Sequence, residues 1–225
     1  MEPTEHNRRA WDEIHRQRAE ALAGERGLRS PVRNAFADLK GKRVLDLQCG
    51  TGEATAELAE LGAVVTGVDS SGGALETARE RWPSILWVQA DPQELPSELR
   101  RGRFDLVYAG LGSLLQLTDL DQWMREIAAA LRSGGELLLF EEHPVALCVD
   151  GLMHWRESYF DEGSRRLGQI VNAATRAGLL MRALEEYPSR SDGFRRHDAR
   201  VTGTFLLYER NGLTRLTTGG DGDAG

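Results

Sequence analysis

The sequence predicts an α/β fold with a doubly wound, mostly parallel sheet. Seven short runs rich in leucine or β-branched residues recur along the 225 residues, as buried strands require, at 43–48, 63–69, 85–90, 104–109, 136–141, 179–186 and 201–209. Helical patterns separate most of these runs, and this alternation predicts right-handed crossovers and a sheet covered on both faces. The last two runs are joined by the polar loop 188–200 and fit an antiparallel hairpin at one edge of the sheet.

The clearest helical pattern precedes the fifth strand. Thr118 or Asp119 is its predicted N-cap, and Gly134–Gly135 is its predicted stop. Between them, large apolar side chains recur at steps of three and four residues: Leu120, Trp123, Met124, Ile127 and Leu131.

Composition limits the kinds of partner. The chain has 40% hydrophobic residues, enough for one domain, and 28 basic against 35 acidic residues give a net charge of −7. This charge disfavours nucleic acid and anionic membranes, which leaves small-molecule or protein substrates as the favoured classes. We expect a small-molecule substrate and a monomer or a homodimer. We expect a cytoplasmic protein, because no apolar targeting or membrane-spanning segment is visible in the sequence. Cys49 and Cys148 are far apart and lack metal-ligand spacing, so no disulfide or metal site is expected.

The expected domain organisation has three parts. Residues 1–30 form a helical lid, with a charged helix over 4–23. Residues 31–211 form the α/β domain. The polar tail 212–225 is expected to be disordered.

The strongest chemical signal is the first strand and its turn, from Val44 to Leu58. Gly50 and Gly52 permit a tight turn and a close backbone approach to a ligand, at the start of a helix whose free N–H groups face it. A dinucleotide site would have a third glycine where Thr55 stands, and a carboxylate at Asp46 disfavours a pyrophosphate. A ligand with an ammonium group would compensate this buried carboxylate.

Two more acidic residues follow the next strands. Asp69 ends the second strand, where a carboxylate can accept both hydroxyls of a ribose, and Asp91 follows the third. The glycines and the two acidic residues also have local interpretations. The glycines could serve only a strand–helix turn, Asp69 could be a helix N-cap, and Asp91 could initiate a turn. Their joint occurrence at successive strand ends favours a ligand site.

Together these motifs resemble the class I S-adenosylmethionine-dependent methyltransferases, which have a seven-stranded Rossmann-like fold. The similar stretch runs from about Lys42 to Glu142. The family motif is close to D-x-G-x-G-T-G, and the run Asp46 to Gly52 keeps the acid, the last two glycines and the threonine. It departs at Gln48, where a glycine or a small residue is usual.

The resemblance implies a binding role for each matching position. Asp46 and the turn Gly50–Thr51–Gly52 would hold the methionine part of S-adenosylmethionine. Asp69, with Ser70 beside it, would bind the ribose. Asp91 and Pro92 would meet the adenine, and Ala109 and Gly110 would pass beneath the sulfonium.

The implied activity is methyl transfer to a small-molecule acceptor by in-line displacement, with release of S-adenosylhomocysteine. His143, directly after the fifth strand, is the predicted general base, because an imidazole suits proton removal near neutral pH and Glu141 or Glu142 could orient it. A local hydrogen-bonding role for His143 is the alternative.

Substrate contacts are expected outside the shared scaffold. The segment 144–164 is rich in large side chains, and Trp155 and Tyr159 are predicted to line an acceptor pocket, or else to pack on the sheet. Trp11 would cap the cofactor or anchor the N-terminal helix. Arginines in the loop 188–200 would grip an anionic acceptor or remain solvated: Arg190, Arg195, Arg196 and Arg200.

Three other functions stay open on the sequence alone. One is an RNA- or protein-modifying methyltransferase, of which the RNA-modifying type is disfavoured by the acidic charge. Another is a catalytically silent protein that binds S-adenosylmethionine and acts as a regulator. The third is a nicotinamide-dependent oxidoreductase, which shares the sheet and the acid after the second strand, and against which Asp46 and Thr55 argue.

Overall fold

A computed structural model describes residues 27–36, 38–114, 117–149, 154–161, 165–188 and 202–212. The predicted lid helix with Trp11, the arginines of loop 188–200 and the tail beyond Gly212 lie outside the described residues. The strands are β1 (Arg43–Leu47), β2 (Val64–Asp69), β3 (Leu86–Gln89), β4 (Phe104–Ala109), β5 (Leu131–Glu142), β6 (Leu179–Pro188) and β7 (Thr202–Asn211). The helices are α1 (Ser30–Ala35), α2 (Glu53–Glu60), α3 (Gly72–Arg81), α4 (Leu120–Ala130), α5 (Pro144–Leu147) and α6 (Leu167–Arg176).

The seven strands form one sheet in the order β3-β2-β1-β4-β5-β7-β6. β1 to β5 are parallel, and β7 pairs antiparallel with both β5 and β6. The predicted fold class and the closing hairpin are confirmed, with β6 as the outer strand. The strand order reverses between β1 and β4, and in a doubly wound sheet the ligand crevice lies outside the carboxyl ends of the strands at such a point.

Alternation along the strands buries apolar side chains on both faces of the sheet. One face carries the larger cluster, which contains Leu45, Leu47 and Leu137 and is covered by α4 and α6. The opposite face carries a smaller cluster, which contains Val44 and Leu138. Leu28 and Val32, beside and within α1, pack into the smaller cluster. The packed domain therefore includes residues on both sides of the expected boundary between residues 30 and 31.

The end of α4 corrects one prediction. Asp119 is the N-cap, and its carboxylate accepts the N–H of Gln122 at 2.9 Å, but the helix ends at Ala130 and not at the two glycines. Leu131 is already extended and pairs with Phe104. A Cβ on Gly135 would lie 2.9 Å from the carbonyl oxygen of Phe104, so this glycine permits a close strand contact and does not stop a helix.

The described residues lack two kinds of functional feature. Within them, no helix combines the length and apolar character needed to cross a bilayer. Nor do three or more histidine, cysteine or acidic side chains come together there as metal ligands.

Candidate active site

The turn after β1 brings glycine backbone to the carboxyl edge of the sheet. Gly50 and Gly52 both lie in the left-handed region, with φ of 54° and 88°, where glycine has no steric penalty. A Cβ on Gly52 would lie 2.5 Å from the ring of Trp87, whereas a Cβ on Gly50 would meet no atom of the described chain within 4 Å, its chain neighbours aside. Gly52 thus serves internal packing, and the backbone at Gly50 is open to a ligand. Between them, the Thr51 hydroxyl donates to Glu53 at 2.6 Å.

Asp46 is a buried carboxyl at the end of β1. Only 2% of the residue is exposed, and its Oδ2 accepts a hydrogen bond from the hydroxyl of Thr55 at 2.5 Å. Burial raises the pKa of Asp46 to about 7, which the Thr55 bond partly opposes and the charge of Asp69 reinforces. A cation at this position would stabilise the ionised carboxylate.

Asp69 connects the first turn to the second. Its Oδ2 accepts the N–H of Gly50 and its Oδ1 accepts the N–H of Ser71, each at 2.8 Å. The N-cap of α3 is Ser71, whose hydroxyl accepts from Ala74, so the local interpretation of Asp69 as an N-cap is wrong. Ser70 is exposed beside it. The structure therefore brings Asp69 and the Gly50 turn together, as the sequence predicted.

Asp91 and Pro92 lie two residues beyond β3. Asp91 is exposed, and its Oδ1 accepts the N–H of Gln93 at 2.8 Å, while Pro92 is buried. This bond is the one expected of a turn initiator. A role of Asp91 toward adenine stays a prediction.

Ala109 ends β4 and Gly110 follows it, beside the first turn. Leu47 pairs with Ala109 across the two strands. The following loop, residues 110–114, is held by Glu141 of β5, which accepts the N–H groups of Gly112 and Leu114 at 3.0 and 2.9 Å. Burial raises the pKa of Glu141 to about 7 in spite of these bonds.

His143 is buried and faces protein groups with both ring nitrogens. Its Nδ1 accepts the N–H of Val145 at 3.1 Å and caps α5. Its Nε2 lies 3.0 Å from Glu186 Oε1, without the alignment of a hydrogen bond. Burial lowers the pKa of His143, and the carboxylate of Glu186 opposes this shift.

These contacts bear on the predicted chemistry of His143. Because Nδ1 accepts from the backbone, the neutral ring carries its hydrogen on Nε2. As placed, the side chain has no free lone pair for a substrate proton. Glu141, predicted as an orienting group, holds the 110–114 loop, and the carboxylate beside His143 is that of Glu186. The catalytic role of His143 stays a prediction, and its local hydrogen-bonding role is confirmed.

The two described aromatic candidates have different surroundings. The hydroxyl of Tyr159 accepts the N–H of Leu167 at 3.0 Å, at the first turn of α6. Trp155 pairs with Val149 in a short antiparallel bridge, and 62% of the residue is exposed. Tyr159 thus has a structural contact that the sequence did not predict, and Trp155 is accessible to an acceptor.

Thr55 and Gln48 make contacts that the sequence analysis does not predict. For Thr55, a hydroxyl in the first turn of α2, nine residues after Asp46, is a signal for a buried pair. The position of Gln48 in the motif indicates only a departure from the family pattern. Gln48 Nε2 donates to the carbonyl of Ser113 at 2.9 Å, and no local pattern indicates this contact between residues 65 positions apart.

Comparisons with known proteins agree with this geometry. A family model for a methyltransferase domain matches residues 44–135. The chain is 26% identical to an S-adenosylmethionine-dependent methyltransferase from Mesorhizobium loti, with a TM-score of 0.65 over 79% of this chain and 94% of that one. The stretch from β1 into β5 is therefore similar to a methyltransferase domain, and the fold is similar to that of an S-adenosylmethionine-dependent methyltransferase.

Two curated relatives extend the comparison. An uncharacterized methyltransferase of Synechocystis is 36% identical over 121 residues, which are 53% of this chain and 55% of the relative. A demethylmenaquinone methyltransferase of Chlorobaculum tepidum is 34% identical over 114 residues, 49% of this chain and 46% of the relative. The chain thus spans about half the length of these curated relatives.

The described residues of this site fit S-adenosylmethionine, the compound named for the similar Mesorhizobium loti protein. Asp46 is a buried carboxyl whose pKa is raised by burial, so a neighbouring cation would stabilise its ionised form. S-adenosylmethionine carries an ammonium group. The backbone at Gly50 is open, and Asp69 stands at the adjoining strand end, where a ribose diol can be bound.

Proposed function

We propose that this protein is a methyltransferase, which transfers the methyl group of S-adenosylmethionine to a small-molecule acceptor and releases S-adenosylhomocysteine. One observation carries the proposal. Asp46, Asp69 and the open backbone of Gly50 converge at the point where the strand order reverses, inside the stretch that matches the methyltransferase model.

The cofactor-binding residues are proposed by position. Asp46 and the turn Gly50–Thr51–Gly52 hold the amino acid part, with the Asp46 carboxylate facing the ammonium group. Asp69 and Ser70 bind the ribose. Asp91 and Pro92 contact the adenine, and Ala109 and Gly110 form the backbone beneath the sulfur. When bound, the cofactor supplies an activated methyl group on a positively charged sulfur.

Positioning is the main catalytic contribution expected of the chain. In-line transfer needs the acceptor atom about 3–3.5 Å from the methyl group and water kept out. The 110–114 loop is suited to this task, because Glu141 and Gln48 hold it from two sides. A base is required only for an acceptor that is protonated at the working pH, and His143 is the predicted residue.

The acceptor class rests on charge and on the relatives. A net charge of −7 disfavours nucleic acid, and one relative is named for demethylmenaquinone. Trp155 and Tyr159 are proposed to contact the acceptor. A cytoplasmic location and a monomeric or homodimeric state remain predictions from the sequence.

The test combines binding with turnover. Calorimetry should detect binding of both S-adenosylmethionine and S-adenosylhomocysteine to the purified chain. S-adenosylmethionine labelled in its methyl group should transfer the label to a member of a small-metabolite panel that includes demethylmenaquinone. Asp46→Asn is the control that should weaken binding. If the purified chain bound neither compound, the proposal would be refuted.

A catalytically silent protein that binds the same cofactor is the second candidate. The hydrogen bond that His143 Nδ1 accepts from the backbone favours it, because this bond leaves the predicted base with no free lone pair. Transfer of label to any acceptor excludes this candidate. Binding without transfer across metabolite, RNA and protein panels would support it.

A further inference from the structure

Gln48 has an unusual backbone for its residue type. Its φ is 57°, and among the described residues it is the one non-glycine residue with a positive φ. The left-handed region is unfavourable for an L side chain, and residues held there concentrate at functional sites. In the motif that this chain shares with its family, glycine or a small residue is usual here.

The side chain of Gln48 adds a second unfavourable feature. Nε2 donates to the carbonyl oxygen of Ser113 at 2.9 Å. Because Ser113 presents a carbonyl, the amide orientation is determined: Nε2 must face it, and Oε1 must point away. Oε1 is buried and has no hydrogen-bond partner, which is costly for a polar atom. A glycine at position 48 would avoid both features.

The Gln48–Ser113 bond joins two parts of the proposed cofactor site. Gln48 begins the turn that continues to Gly50 and Gly52. Ser113 belongs to the 110–114 loop after β4, and its own hydroxyl donates to the carbonyl of Gly110 at 2.6 Å. Glu141 holds the far side of this loop through Gly112 and Leu114, so Gln48 connects the loop to the first turn.

We propose that Gln48 is a positioning residue: it holds the 110–114 loop against the first turn and thereby strengthens cofactor binding. The affinity part of this inference rests on the proposed function. The alternative is that Gln48 only fills space in the turn. A protein with the usual glycine at position 48 should then bind the cofactor at least as tightly. The two views predict opposite effects of Gln48→Gly.

Gln48→Gly is the first test. The free energy of unfolding in urea should stay the same or rise, because a strained backbone and an unpaired oxygen are removed. Hydrogen exchange of the Gly112, Ser113 and Leu114 amides should become about tenfold faster, and the Kd for S-adenosylhomocysteine about tenfold weaker, as expected for one lost hydrogen bond. A purely structural residue would not weaken binding while leaving stability intact.

Gln48→Met separates the hydrogen bond from the volume. Methionine keeps a similar length and the left-handed backbone but cannot donate to Ser113, so it should reproduce the faster exchange and the weaker binding. Gln169→Ala is the matched control, because Gln169 also bonds backbone, at the N–H of Arg166 beside α6, but lies outside the proposed site. This control should leave loop exchange and the Kd unchanged.

The outcomes are distinguishable. Wild-type loop exchange and wild-type affinity in both Gln48→Gly and Gln48→Met would overturn the inference. If the wild-type chain itself binds no S-adenosylhomocysteine, the proposed function fails together with the affinity part. The exchange measurement then still decides whether Gln48 holds the loop.

Discussion

Thr55 donates its hydroxyl hydrogen to Oδ2 of Asp46 across 2.5 Å, and both side chains are almost completely buried. The bond joins the end of β1 to the first turn of α2, directly below the glycine turn. It supports the ionised form of Asp46 against the effect of burial. The hydroxyl at position 55 thus favours the ionised carboxylate, which is the form that would pair with a cation.

Thr55→Val should weaken cofactor binding near pH 7. Valine has a similar shape but no hydroxyl, so the pKa of Asp46 should rise further above its present value of about 7. The Kd for S-adenosylhomocysteine, measured by calorimetry, should increase at pH 7 and recover at pH 9. Thr55→Ser restores the hydroxyl and should behave like the wild type; a valine variant with unchanged affinity at pH 7 would contradict the assignment.

Cofactor affinity should depend on pH through Asp46. The group has a pKa of about 7 in the unliganded protein, so it is mostly protonated at pH 6 and mostly ionised at pH 8. Only the ionised form can pair with the ammonium group, so binding should strengthen as pH rises across this range. The Asp46→Asn variant should bind the cofactor more weakly than the wild type, and its affinity should change less with pH. If the affinities of the wild type and Asp46→Asn changed with pH in the same way, the titration would belong to another group. Glu141 is one such group, because its pKa is also about 7.

Gly50→Ala and Gly52→Ala should separate binding from folding. An alanine at position 50 has space and should cost about 1 kcal/mol for its left-handed backbone, but its methyl group would occupy the open face of the turn and abolish cofactor binding. An alanine at position 52 would collide with Trp87 and should cost about 2–3 kcal/mol. Urea unfolding and calorimetry measure the two effects. Equal stability losses would show that the turn is not packed in this way.

Glu209 should make the fold less stable at alkaline pH. Both carboxylate oxygens on this β7 residue are buried without a partner, and burial raises the pKa from 4.5 to about 7. Its contribution to stability is full below pH 4.5 and is lost as the pH rises through about 7. Glu209→Gln stays neutral, so it should be more stable than the wild type at pH 8 by up to about 3 kcal/mol.

Urea unfolding at pH 4.5 and pH 8 checks the effect of Glu209. At pH 4.5 the Glu209→Gln variant should be little more stable than the wild type, because the wild-type carboxyl is already neutral there. The pKa values of Asp46 and Glu141 are shifted in the same direction, so the stability of Glu209→Gln will retain some pH dependence. A pH-independent difference between the two proteins would show that Glu209 is not protonated in the folded state.

His143→Ala should lower stability by about 1 kcal/mol or more, because it removes the N-cap of α5. His143→Asn keeps an N-cap acceptor and should restore most of that stability. Cofactor affinity should be the same in both variants. Turnover with an acceptor from the panel then decides the predicted base role: wild-type rates in His143→Asn would remove it, and a lost rate with a normal fold would establish it.

The sequence predicted the fold well where the signals are local. Each of the seven apolar runs corresponds to a strand, and the Asp119 N-cap is correct. The largest error in a boundary is at β5, which begins at Leu131 rather than near residue 136. A glycine pair after an apolar helix normally ends it, and only the close approach of Gly135 to Phe104 shows that these glycines belong to the strand.

The candidate site was predicted in part. The motif located Asp46, Gly50 and Asp69 because backbone conformation and strand ends are properties of short segments. The burial of His143 against Glu186 and the contact from Gln48 to Ser113 were not predictable, since each joins residues more than 40 positions apart.

By itself, the sequence determined the order of strands and helices, the glycine turn and the acids at the strand ends. Periodicity and turn chemistry depend on neighbouring residues, so they can be read without coordinates. Only the tertiary structure decided which carboxyls are buried, which hydroxyl supports Asp46 and which loop Gln48 holds. These properties depend on the removal of water by distant segments, and burial sets the pKa of a group through neighbours that a linear sequence does not show.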